Sequence, residues 1–307
     1  MQVLATVAPV ILLLGMGKLF SLKKILTPDT IRGMKYLVSN IMLPVVIFNA
    51  LISAVFTKES IVLSLIVYAV FTVIMYLSLR IGKKINGYEM TGFLMAGAEG
   101  GMFGYPLYIA LYGASALSTL LIIDLGNILF AFTFFIVTIN IYNNRDADRK
   151  KILIDSLKSP LVLITAAAIL LNVTGIAGWF LNLPAAQVYN AVQSAVTAPV
   201  TALVLITVGY DLSFDRKLMG PVLKAGILRL LLMSLSAAAL LIFAGGLIRE
   251  QQLRVAVLLY FSLPPQFITP IFVKDEGERE FTATAISLYS LVTVLAFVLI
   301  TVFVPLY

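Results

Sequence analysis

The sequence predicts an all-α integral membrane protein of ten transmembrane helices, arranged as two inverted repeats of five. Three observations carry that prediction. The chain of 307 residues is 61% hydrophobic and only 12% charged, whereas a soluble domain is nearer half apolar and a quarter charged. Its apolar runs are about 20 residues long, the length needed to cross roughly 30 Å of hydrocarbon at 1.5 Å per residue. Glycine and proline interrupt two of those runs at corresponding places in the two halves of the chain.

In order, the predicted spans are residues 3 to 20, 36 to 56, 60 to 81, 90 to 113 and 117 to 141, then 160 to 181, 187 to 210, 221 to 247, 252 to 273 and 282 to 305. The first reads as a span rather than a secretory leader, because no basic segment precedes it and charges follow it instead of a small-residue cleavage site. The polar stretch 143–159, which includes Arg145, Arg149, Lys150 and Lys151, divides a first repeat (1–142) from a second (160–307). An odd number of spans per half means that two halves of one fold must insert upside down relative to each other. A shift that aligns Pro44 with Pro199, Val45 with Val200 and Ser39 with Ser194 places a proline inside the second span of each half, and Pro106 then corresponds to the Pro264–Pro265 pair in the fourth.

Orientation follows from the basic residues. Of the 22 lysines and arginines, eighteen fall on one side if the N-terminus is outside: Lys18, Lys23, Lys24, Arg32, Lys35, Arg80, Lys83, Lys84, Arg145, Arg149, Lys150, Lys151, Lys158, Arg216, Lys217, Lys224, Lys274 and Arg279. The opposite side holds Lys58, Arg249 and Arg254. Cytoplasmic connections carry such an excess, so both termini are expected outside and the central loop in the cytoplasm, in a multi-pass protein of the cell (inner) membrane. The same rule accounts for the net charge of +7 without a nucleic-acid partner.

No cysteine and no histidine are present, which removes disulfides, thiolate metal sites, cysteine nucleophiles and the usual near-neutral proton carrier. No phosphate-cradling GxxxxGK[ST], dinucleotide GxGxxG or HExxH occurs, so neither ATP-driven transport nor a common membrane protease is supported and no cofactor is expected.

The fourth span contains GAEGGMFGYP, residues 97–106, with Gly97, Gly100, Gly101, Gly104 and Pro106 around Glu99. The ninth contains SLPPQFITP, residues 262–270, with Pro264, Pro265 and Pro270 beside Gln266 and Thr269. Backbone groups freed by Gly and Pro are costly in lipid unless buried in protein or facing a watery cavity, and paired interrupted helices point to a transporter binding site. Close packing at glycines and tolerated proline kinks are the structural alternative. An acid such as Glu99 at mid-membrane costs about 2.5–3.5 kcal/mol on insertion scales, so it reads as a proton carrier or cation ligand, against a structural hydrogen-bonded acid. Asp124 lies about 10 Å along the axis into span five, with Asn127 on its face one turn deeper; function and structure are equally open there. Arg229 is expected to snorkel to the inner interface, because residues 230–248 form an uncharged run able to span unaided. Asn40 and Asn49 in span two are expected to bond neighbouring helices.

With these residues the chain resembles the auxin efflux carrier family, which includes bacterial malonate-permease-like proteins and plant PIN-FORMED carriers. The resemblance covers essentially the whole chain and is most specific at EGGMFGYPLYIALYG (99–113), SAVTAPVTALVLITVGYDLS (194–213) and the ninth span. It implies helices four and nine broken at prolines and crossing at mid-membrane, with helices one, two, six and seven as scaffold or homodimer surface and helices three to five and eight to ten as a mobile core. One departure is that the family commonly has an asparagine where Glu99 stands. A neutral amide suits a carboxylate and an ionised acid repels one, so either Glu99 is protonated when substrate is bound or the substrate is not a simple anion.

The expected function is secondary transport of a small organic solute, with a carboxylate as the expected class, by alternating access. Substrate-binding candidates are Glu99, Gly100, Gly101, Gly104, Pro106, Asn127, Pro264, Pro265, Gln266 and Thr269; coupling candidates are Glu99 and Asp124. The coupling ion is a proton, or sodium in the nearest rival reading. A membrane-embedded enzyme using Glu99 and Asp124, or a ligand sensor, is the alternative of another class, weakened by the lack of a nucleophile set or an output domain.

Overall fold

In the computed structural model, which describes residues 2–143 and 148–305, the chain is predominantly helical and no strand occurs among the described residues. Residues 144–147, in the expected cytoplasmic connection, lie outside the described residues.

Seven helical stretches are long and apolar enough to cross a membrane: Leu4–Leu22, Pro28–Ile52, Lys58–Asn86, Ala114–Tyr142, Ala185–Asp211, Met219–Phe243 and Glu276–Phe303. Large apolar side chains such as Phe243 and Phe303 are 87% and 75% exposed, an arrangement that only a non-aqueous surround stabilises. The protein is therefore embedded in a membrane.

The seven match spans one, two, three, five, seven, eight and ten of the sequence reading. The other three are interrupted, and each interruption has a local cause. Expected span six divides into Pro160–Val173 and Ile176–Leu181, because Gly175 between them is left-handed, with φ +77°, a conformation that ends a helix. Expected span four contains only the short turn Thr91–Leu94 before the chain leaves the helix at 95–99, then a π-turn at Gly100–Gly104 and the helix Tyr105–Tyr112. Expected span nine stops at Ser262, runs extended through 263–266 and resumes briefly at Thr269–Phe272. Leu263 has ψ 152° because a residue before proline is driven out of the helical region.

The chain forms two compact units, each assembled from both sides of the central polar stretch. The first comprises Met1–Lys58, Gly101–Leu121 and Leu157–Asp211. Its tightest packing is between Gln2–Leu22 and Val200–Asp211. Gly17 lies against the backbone of Ile206 and Tyr210, and Gly209 against the Leu14 carbonyl, so close that any Cβ would collide with main chain. Small residues of this kind let helices approach where lipid removes the hydrophobic incentive to pack. At the end of Leu43–Ile52 the Asn172 amide donates to the carbonyls of Leu51, Ile52 and Ala54 at 2.9, 3.0 and 2.8 Å. Asn49 accepts from the Tyr189 hydroxyl at 3.2 Å, while Asn40 bonds the Tyr36 carbonyl of its own helix.

The second unit comprises Glu59–Gly100, Ile122–Ser156 and Leu212–Tyr307. Here Met219–Phe243, Gln251–Ser262 and Glu276–Phe303 pack on one another. Lys58–Asn86 is held to the stretch around 122–126 by the Ser64 hydroxyl on the Ile122 carbonyl (2.5 Å) and by Gly126, which lies against the Ser64 carbonyl. Both interrupted segments, 95–99 and 263–268, belong to this unit.

Candidate functional site

An interrupted segment inside a membrane protein must find partners for its freed carbonyls and amides, and the second unit supplies partners to several of them. From the ninth-span break, the Ser262 carbonyl accepts from the Thr293 hydroxyl (2.5 Å), the Leu263 carbonyl from the Arg229 guanidinium (3.0 Å) and the Pro264 carbonyl from the Glu99 amide (2.9 Å). From the fourth-span break, Leu94 and Gly97 offer carbonyls to Arg229 at 2.5 and 2.8 Å. Ala98 is paired in both directions by the Asn127 side chain, its amide donating to Oδ1 at 3.1 Å and its carbonyl accepting from Nδ2 at 3.0 Å. The asparagine substitutes for a missing strand or helix neighbour.

Around this frame sit the ionisable groups. Glu99 is half-buried, and its Oε2 accepts from the Phe267 amide at 2.8 Å. The residue therefore ties the two breaks together twice, once through its own amide and once through its carboxylate. Asp124 is buried, 2% exposed, and accepts from the Tyr260 hydroxyl and from Asn127 Nδ2 at 3.3 Å. Its carboxylate presses on Gly100, where a Cβ would fall 2.5 Å from Oδ1.

Gly97 has φ +74°, and a Cβ there would lie 2.9 Å from Gln266 Nε2 and 3.1 Å from the Phe130 ring. Left-handed backbone and lack of space both require glycine at this position. The Gln266 side chain that fills the space is 6% exposed, and neither its amide nitrogen nor its oxygen has a hydrogen-bond partner. Thr269 is buried and closes the turn after the break, its hydroxyl donating to the Gln266 carbonyl at 2.7 Å. Pro264 and Pro265 are both buried within the extended segment.

The structure thus brings Glu99, Gly100, Asn127, Pro264, Pro265, Gln266, Thr269 and Asp124 into one unit. Gly101, Gly104 and Pro106 belong to the other. Pro106 stands in the first turn of Tyr105–Tyr112, directly after the π-turn Gly100–Gly104, and the backbone stays helical across it. The fourth-span interruption lies upstream at 95–99, so it is the glycine-rich stretch and not Pro106 that breaks this helix.

Arg229 does not snorkel. It is 4% exposed, its partners are main-chain carbonyls, and its guanidinium lies 5.9 Å from the Tyr289 ring centroid. The uncharged run that was to span unaided is not one helix: Met219–Phe243 ends well before residue 248, and Arg229 stands near its middle. Tyr260, Tyr289 and Thr293, unlike Arg229, were not singled out by sequence reading. Of these only Arg229 had a visible signal, a charge well inside a long apolar helix.

No protein-family model matches the chain, and no curated protein matches its sequence. Fold and site define a class without a nearer kinship: a helical membrane protein with two interrupted segments joined at a buried polar cluster.

Proposed function

We propose that the protein is a secondary transporter of a small organic solute, a carboxylate, working by alternating access in the manner of the auxin efflux carriers it resembles. In this reading the seven continuous and three interrupted segments are ten spans in two inverted repeats, with the interrupted fourth and ninth crossing. The observation that carries it is the meeting of the two breaks around Glu99, with the buried Gln266 amide beside them offering a donor and an acceptor that the protein itself leaves unused. Buried polar atoms are normally satisfied, and a solute with a carboxylate and a hydrogen-bonding group suits such an amide.

Glu99 supplies the coupling. Ionised, it accepts from the Phe267 amide and repels a substrate carboxylate. Protonated, it holds that amide less strongly and gains a donor for the substrate. Affinity then differs between the two protonation states, which is the requirement for coupling. In proteoliposomes, a panel of mono- and dicarboxylates should be concentrated by an imposed pH gradient and not by a sodium gradient. Glu99→Gln should keep solute exchange but lose at least about 90% of gradient-driven accumulation. If the glutamine variant concentrates solute as wild type does, Glu99 is not the coupling group and Asp124 becomes the candidate.

The proposed orientation, both termini outside, is checked separately. Because the chain has no cysteine, Lys151→Cys in the exposed helix Arg149–Leu157 gives a clean single site. An impermeant thiol reagent should label it only after the membrane is opened; labelling in intact cells would reverse the topology.

A further inference from the structure

Arg229 carries more charge than its bonding requires. Satisfying orphan carbonyls calls for N–H donors, and in the first unit the neutral Asn172 amide serves three of them. In the second unit the same task, on the carbonyls of Leu94, Gly97 and Leu263, is given to a full positive charge inside a membrane-spanning helix, where charge is costly. The Leu263 oxygen caps the end of Gln251–Ser262, the Leu94 oxygen closes the short turn Thr91–Leu94 and the Gly97 oxygen lies within the break itself; helix C-terminal ends carry negative partial charge. Convergent carbonyls at interrupted helices, reinforced by C-terminal dipoles, are also the ligand set that holds a hard monovalent cation in ion-coupled carriers.

We propose that Arg229 is a tethered cation occupying an ion cage, so that the protein carries in covalent form the positive charge that a sodium ion would otherwise bring to the breaks. The inference rests on the transport reading for its consequence: with the cage permanently filled, sodium has no place at the breaks and coupling falls to the proton on Glu99. A cavity of about 20 Å³ adjoins the guanidinium, lined by Gly226, Arg229, Met233, Phe261, Leu263 and Tyr289. That is room for one water-sized body, and truncating Arg229 adds the space of its own guanidinium, into which a free guanidinium ion or a sodium ion coordinated by the three carbonyls and a water would fit.

The test is thermal melting of purified wild type, Arg229→Ala and Arg229→Gln in choline chloride, with sodium chloride or low-millimolar guanidinium chloride added. Wild type should be indifferent to both additions. Arg229→Ala should melt lower in choline and recover by about 4 °C or more as either cation is added, rising with the logarithm of its concentration. Arg229→Gln keeps amide donors without charge and should show the same sodium response. The proposal is overturned if wild type is itself stabilised by sodium. It is equally overturned if a folded Arg229→Ala ignores both cations, or if Arg229→Gln is as stable as wild type in choline, since donors alone would then suffice. Failure to recover either variant from sodium-containing medium also overturns it, because a caged sodium should replace the side chain. Melting does not depend on flux, so a negative result here leaves the carrier reading to the proteoliposome assay.

Discussion

Asn172 and Arg229 solve one problem in two regions and solve it differently. Each donates to three main-chain carbonyls left over where a helix stops or is interrupted. Asn172 is half-buried and caps a single helix end in the first unit; Arg229 is buried and draws together carbonyls from two separate interruptions in the second. A short amide can reach around one terminus, whereas joining two strands of backbone needs the wider fork and five donors of a guanidinium. Glycine is used for close backbone approach in both units, at Gly17 and Gly209 in the first and at Gly82 and Gly126 in the second, but in the second Gly97 and Gly100 also make room for the side chains Gln266 and Asp124. What the second unit adds to backbone contact is the meeting of polar groups at its breaks.

The largest effect should come from the second unit's clamp. Arg229→Leu leaves buried carbonyls of both breaks without donors and should cost on the order of 3–5 kcal/mol, against about 1 kcal/mol for Asn172→Leu at its wetter helix end. Equal losses in denaturation of the two variants would erase the contrast. Next, Gly209→Val drives a branched side chain into the Leu14 carbonyl, and overpacking against unyielding backbone should cost about 1–3 kcal/mol. Gly15→Ala, which meets nothing within 4 Å, is the matched control and should leave melting unchanged. Gly100→Ala is read on uptake rather than on melting. Its methyl falls on the Asp124 carboxylate and pushes it from its partners, so solute uptake should fall by at least about tenfold if the cluster is the transport site. A Gly100→Ala carrier with normal uptake would move the site away from Asp124.

The interruption of spans four and nine was legible because Gly and Pro act locally. Pro264–Pro265 lacks two amides wherever it is placed, and no tertiary contact restores them. Where the fourth-span break falls was less legible, since a proline tolerated in a first helical turn and a proline that breaks a helix look alike in a string of letters. Pro106 proved to be the former. Glu99, Asp124, Asn127 and Gln266 could be named because polar residues in apolar runs stand out. Their partners could not be: Tyr260, Tyr289 and Thr293 are ordinary residues of membrane helices, and the partnered carbonyls have no letter of their own.

What the sequence by itself determined is the solvent and the fact that spans four and nine are interrupted. Composition and run length make the chain a helical membrane protein, because apolar surface in such amount is stable only in lipid. The tertiary structure alone decided which groups satisfy the interrupted backbone. The Arg229 side chain lies more than a hundred residues from the carbonyls of Leu94 and Gly97 to which it donates, and nothing in local spacing distinguishes an arginine that reaches an interface from one that turns inward. That choice depends on where the helix ends and which carbonyls the fold delivers to it. Both are settled only when distant segments pack and every buried donor must find an acceptor.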